Sequence, residues 1–93
     1  MRFEWNEKKN SENIHKHGIS FEEAQTVFTD GHARLIADPD HSEKEDRFVL
    51  LGLSRKGMEL VVCHCYRKNE KVIRIISARR ATKKEQRFYW EAI

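Results

Sequence analysis

Three arginines stand in and just beyond one apolar run. Residues 71–82 read Lys-Val-Ile-Arg-Ile-Ile-Ser-Ala-Arg-Arg-Ala-Thr, with Arg74 among β-branched residues and Arg79 and Arg80 at the exit. Alternation along a strand puts Ile73, Ile75, Ser77 and Arg79 on one face and Val72, Arg74, Ile76, Ala78 and Arg80 on the other. Both faces are apolar at the centre, so the strand is expected to be central and Arg74 partly buried. A guanidinium withdrawn from water must be paired or must face an anion. Its planar fork suits phosphate bidentately. Arg74 therefore has two readings: a phosphate contact, or an internal ion pair with Glu45, Asp46 or Glu59.

Histidines supply the second set of candidates. His15, Lys16 and His17 close a helical stretch, where cations complement the negative end of the helix dipole. Histidine there also suits phosphate contact or proton transfer, because its ordinary pKa lies near ~6.5. Asn10, Asn13 and His17 recur at helical spacing as one polar stripe. Cys63-His64-Cys65 suggests a metal, but on a strand the two thiols share one face and the imidazole takes the other. The two cysteines read as free core thiols, and no metal or other cofactor is expected. His64 then lies with Leu60, Val62 and Tyr66, a candidate acid or base if that face is concave and half-wet. Asp38, Asp40, Glu43, Glu45 and Asp46 form an acidic loop that reads as solvated, Mg²⁺ binding being the alternative. Arg47 follows it directly.

The elements that must hold these residues are legible in outline. Residues 2–5 alternate as a short strand. Asn6 is placed as N-cap of a helix over 6–17 whose only aliphatic residue is Ile14, and Gly18 is placed to end it. So polar a helix is either a thin cover over the sheet or a surface for something else. Ser20-Phe21-Glu22-Glu23 matches a capping box with Ile19 and Ala24 as a hydrophobic staple, and Phe21, Ala24, Val27 and Phe28 follow helical spacing. Strands are expected over 33–37, 47–53, 59–66 and 71–79, the last three as an antiparallel meander. Thr82, with Glu85 three residues on, opens a final helix at Lys83, where Phe88 and Tyr89 are packing candidates. The order β-α-α-β-β-β-β-α describes an α+β chain with a curved, mainly antiparallel sheet and helices covering one face of it.

The chain has 93 residues, enough for one domain over 1–93 with a modest core. Hydrophobic residues make up 39% and charged ones 35%, and no apolar run approaches a membrane span. Met1 to Trp5 runs straight into a charged segment without a leader pattern, so a reducing cytoplasm is expected. The net charge of +3 is uneven. Residues 1–66 hold 9 Lys/Arg against 12 Asp/Glu, whereas residues 67–93 hold 9 against 3. A basic C-terminal third points to a polyanion or an acidic partner.

Three blocks in order carry a family resemblance. Phe3-Glu4-Trp5-Asn6 leads through Asn13 to Lys16-His17-Gly18-Ile19-Ser20-Phe21-Glu22-Glu23-Ala24. Asp38-Pro39-Asp40-His41-Ser42-Glu43 closes on Arg47-Phe48. Arg74-Ile75-Ile76-Ser77-Ala78-Arg79-Arg80-Ala81-Thr82 is followed by Glu85, Arg87 and Tyr89. Together they resemble the BrnT toxins of bacterial type II toxin–antitoxin systems, with Asn6 standing where Asp is expected. The resemblance implies a RelE-like fold and a ribonuclease that arrests translation. It also implies a BrnA-type ribbon-helix-helix antitoxin as partner in a hetero-oligomer, operator DNA being reached only through that antitoxin. RNA carries its own nucleophile, the 2′-OH, so a metal-independent nuclease needs phosphate stabilisation and two proton transfers. Arg74, Arg79 and Arg80 fit the first, and His17, His64 and Tyr89 are candidates for the second. Lys16, Arg47 and Lys83 are candidate RNA phosphate contacts. A non-catalytic RNA- or partner-binding module is the alternative.

Overall fold

The computed structural model describes residues 1–37 and 46–93, so the acidic-loop expectations at Asp38, Asp40, Glu43 and Glu45 lie outside the described residues. The elements are β1 (Arg2–Glu4), α1 (Glu7–His17), α2 (Phe21–Gln25), a 3₁₀ turn (Thr26–Thr29), β2 (Arg34–Ile36), β3 (Phe48–Leu53), β4 (Glu59–Arg67), β5 (Val72–Arg80) and α3 (Lys83–Glu91). This is the expected order.

Local chemistry sets most boundaries. The Asn6 carboxamide accepts from the Lys9 amide at 3.0 Å, and Gly18 ends α1 at φ 72°, the left-handed region that glycine enters without penalty. Ser20 caps α2 by accepting from the Glu23 amide at 3.0 Å. The reciprocal half of that capping box is not made, because the Glu23 carboxylate turns inward and accepts from the Ser54 hydroxyl at 2.8 Å. Thr82 and Glu85 do close a full box at the start of α3.

The five strands form one sheet in the order β1-β5-β4-β3-β2. β2 through β5 are antiparallel neighbours, and β1 adds in parallel to β5 with Arg2, Phe3 and Glu4 opposite Val72, Ile73 and Arg74. On one face, Leu60, Val62, Ile75 and Ala78 meet Ile19, Phe21, Ala24 and Val27 from the first helices. On the other, Val49, Leu51 and Val61 meet Ala81 and Tyr89. Val61 and Val62 are consecutive and point oppositely, so α3 packs on the face away from α1 and α2. Helices therefore cover both faces, not one as the element order suggested. The Tyr89 ring is buried in its own apolar cluster, and a side chain that large needs a sheet surface of its own. Among the described residues no helix is long and apolar enough to cross a membrane.

Candidate functional site

A β-bulge sets the geometry of the arginines. Cys63 stands opposite Ser77, but the next residue, His64, stands opposite Ile75, so Ile76 is the extra residue on β5. Strict alternation fails there. Ile73, Ile75, Ala78 and Arg80 share the face covered by α1 and α2; Val72, Arg74, Ser77 and Arg79 share the other. The bulge thus puts Arg74 and Arg79 on one side and turns Arg80 to the opposite one, which corrects the faces read from the sequence.

Arg74 is paired with Glu4, a partner the sequence did not suggest. Its Nη1 donates to Glu4 Oε2 at 2.9 Å, and Arg67 Nε stands 3.6 Å from the same oxygen. The hydrogen bond from Arg74 holds the Glu4 carboxyl below its ordinary range. The partner is Glu4 because β1 lies parallel beside β5, a long-range pairing that no local pattern encodes. Glu59 is engaged elsewhere, accepting from Trp90 Nε1 at 2.9 Å. Arg79 forms a fork with Glu85, Nη1 to Oε1 at 2.8 Å and Nη2 to Oε2 at 3.0 Å, and also reaches the Arg80 carbonyl at 3.2 Å. The Arg79 contact pushes Glu85 down to about 2. Both guanidinium side chains remain about one-third exposed, at 32% and 33%. Each guanidinium has five N–H donors, so one bond to Glu4 orients Arg74, and the fork with Glu85 orients Arg79, without using all five. Arg80 is exposed at the strand end.

The other wall of the site comes from α1. β1 ends opposite Arg74, so among the described residues the β5 edge beyond it has no strand partner. Asn13 takes that place: its Nδ2 donates to the Ala78 carbonyl at 2.8 Å and its Oδ1 accepts from the Ala78 amide at 3.1 Å. The same Nδ2 donates to the Ile19 carbonyl at 2.8 Å. Asn10 accepts from the Phe21 amide at 2.8 Å and donates to Glu22 at 3.1 Å. The asparagine stripe is therefore a buried structural seam, while Ile14, the lone aliphatic of α1, is 46% exposed. His17 is not part of that seam. With Lys9, Glu12, Asn13, Lys16, Ile76 and Ser77 it lines a groove of about 230 Å³ between α1 and β5. Lys16 and His17 thus lie beside Ser77, which shares a face with Arg74 and Arg79.

Two proton-transfer candidates fall elsewhere. His64 is fully buried rather than half-wet, walled by Phe28, Tyr66 and Phe48 at ring-centroid distances of 4.8, 5.5 and 6.1 Å. Its Nδ1 lies 3.2 Å from the Val62 carbonyl, and its Nε2 has no hydrogen-bond partner among the described residues. Burial lowers its pKa and keeps the ring neutral. Tyr89 is buried as well, and its hydroxyl donates to Asp30 Oδ2 at 2.6 Å. Burial first, and then Asp30, push the phenol up to about 12. It fastens α3 to the sheet, out of reach of a substrate. Cys63 and Cys65 are half-buried free thiols, and no cluster of metal ligands occurs among the described residues. Arg47 is half-buried ahead of β3, and Lys83 is exposed at the start of α3. Glu4, Ser77 and Lys9 were missed from the sequence. Only the alternation in Arg2–Trp5 hinted at Glu4, and nothing local marked the bulge that turns Ser77.

The family model for the ribonuclease toxin BrnT of type II toxin–antitoxin systems matches residues 5–85. The chain belongs to the BrnT toxin family. Its fold agrees: the crystal structure of the Brucella abortus ribonuclease toxin BrnT matches with a TM-score of 0.68 at 24% identity, covering 89% of this chain and 99% of that one. The α+β class and element order implied by the resemblance are those of a BrnT fold. No curated protein matches the chain. Membership in the BrnT family makes the chain a ribonuclease toxin of a type II toxin–antitoxin system, and it implies an antitoxin protein as partner.

Proposed function

We propose that the chain is an endoribonuclease that cleaves RNA through the substrate's own 2′-OH, with the phosphodiester held between the α1–β5 groove and the arginine face of β5. One observation carries this reading: Lys16 and His17 line the same groove as Ser77, whose side chain shares a sheet face with Arg74 and Arg79. In this reading His17 moves the proton, taking it from the 2′-OH or giving one to the leaving 5′-oxygen. Arg79 and Arg74, oriented by Glu85 and Glu4, hold the charge that grows on the scissile phosphate. Arg80, Lys16, Lys83 and Arg47 contact flanking phosphates. His64 and Tyr89 are left out, since their burial denies them the substrate.

Metal independence is supported by the arginines, which supply the charge a metal would otherwise bring. Glu4, Asp30, Glu59 and Glu85 already accept hydrogen bonds from protein donors. The cellular part of the proposal is arrest of translation in the cytoplasm. A BrnA-type ribbon-helix-helix antitoxin neutralises the toxin, and the pair represses its own operon, with DNA bound by the antitoxin alone. The deciding experiment is incubation of purified protein with RNA in EDTA. Cleavage to 2′,3′-cyclic ends is expected, with His17→Ala slower by about 10²–10⁴. Binding without cleavage would make the chain a non-catalytic RNA-binding module, and cleavage that EDTA stops would make it a metal-dependent nuclease.

A further inference from the structure

We infer that the groove between α1 and β5 is a track for the backbone of single-stranded RNA, with Lys9 and Lys16 as successive phosphate contacts. The inference deepens the ribonuclease reading and rests on it for the identity of the ligand. Lys9 and Lys16 are seven residues apart on α1. They therefore project from nearly the same side of the helix, about 10 Å apart along its axis. Both line the groove, and both are exposed. Among the described residues neither ammonium is in an ion pair, unlike Arg67, Arg74 and Arg79. The opposite wall is Ile76 and Ser77, the bulge residue and the exposed hydroxyl that follows it.

The track is rigid because of where its anchor lies. Asn13 sits between the two lysines and is bonded to both backbone groups of Ala78. The position over β5 of the helix that carries both lysines is thus fixed before RNA arrives, which lowers the cost of ordering the site on binding. The groove lies between a helix and a strand edge, and Ser77 in its wall shares a sheet face with Arg79. Glu12 also lines the groove, between the lysines, and opposes a polyanion. It supplies a test of opposite sign.

The probe is a short fluorescein-labelled single-stranded RNA with 2′-O-methyl groups throughout, which lacks the nucleophile and stays intact. Its affinity is measured by anisotropy across a salt series for the wild type, Lys9→Ala, Lys16→Ala, the double variant and Glu12→Gln. Each lysine substitution is expected to lower the slope of log affinity against log salt by about 0.7, and the pair by about 1.4. Glu12→Gln is expected to tighten binding several-fold, which a merely structural effect on α1 would not do. Alanine favours helix, so circular dichroism should be unchanged. An unchanged slope in the double variant, or unchanged affinity in Glu12→Gln, overturns the track. So does a double variant that loses only antitoxin binding, since the groove would then belong to the protein partner. If the slopes shift as expected while the wild type leaves unmodified RNA intact, the ribonuclease reading fails and the track stands. If unmodified RNA is cleaved while the slopes stay put, the track fails and the ribonuclease reading stands.

Discussion

Arg79 has two possible duties, and Glu85→Gln separates them. The carboxylate of Glu85 accepts both arms of the Arg79 fork and also the Thr82 amide at 2.8 Å. A carboxyl moved from an ordinary 4.5 to about 2 corresponds to about 3 kcal/mol of stability at neutral pH. Its side chain is 21% exposed, so solvent screening reduces that figure. Glutamine keeps the amide contact of the capping box, leaving an expected loss of about 1–3 kcal/mol at pH 7 in urea unfolding. Because the folded-state value is depressed, the contribution is complete above pH 4.5 and disappears as pH falls through 2. Roughly half of it should remain at pH 3. In cells, Glu85→Gln should still arrest growth, since the guanidinium stays on β5, whereas Arg79→Ala at equal expression should not, having lost a phosphate donor worth about 10²–10³ in rate. Equal loss of arrest in both variants would mean that Arg79 has no function apart from its fork with Glu85. A stability difference that does not shrink between pH 7 and pH 3 would refute the ionic origin of the fork.

Asn13→Ala should cost about 2–4 kcal/mol in denaturant unfolding, because it strands the buried amide and carbonyl of Ala78. The buried neutral His64 has a folded pKa below the ordinary 6.5, so wild-type stability should fall as pH drops below 6.5. His64→Leu should flatten that part of the profile in urea melts taken from pH 7.5 to 5. A methyl group added at Gly52 would stand 2.7 Å from Val27 Cγ1 and 2.9 Å from Ala33 Cβ. Gly52→Ala is therefore expected to lower stability by about 1–3 kcal/mol by thermal melting.

What the sequence disclosed was local. Asn6, Gly18, Ser20, Thr82 and Glu85 act within one turn of themselves, so their caps could be read from neighbours alone. The meander from β3 to β5 was legible because its connections are short. The face assignment failed at Ile76, since a bulge depends on the register between two strands rather than on either strand's own pattern. Arg74 was rightly expected to be partly buried, but its partner is 70 positions away. The asparagines of α1 read as part of one polar stripe. They are the helix's inward face because the β5 edge offers backbone groups, not apolar surface. His64 and Tyr89 were chosen for their chemistry, and burial removed them, which no spacing rule foretells.

The seam between the first and last parts of the chain also has a consequence in time. Glu4 reaches Arg74 across 70 positions, and Asn13 reaches Ala78 across 65. Contacts so far apart in sequence close late and slowly, after the entropy of a long loop has been overcome. A nascent chain that stops before Ile76 has only the α1 wall of the groove, and one that stops before Glu85 lacks the Arg79 fork. The proposed site is therefore complete only when nearly all of the chain has been made, and its assembly is one of the last events of folding.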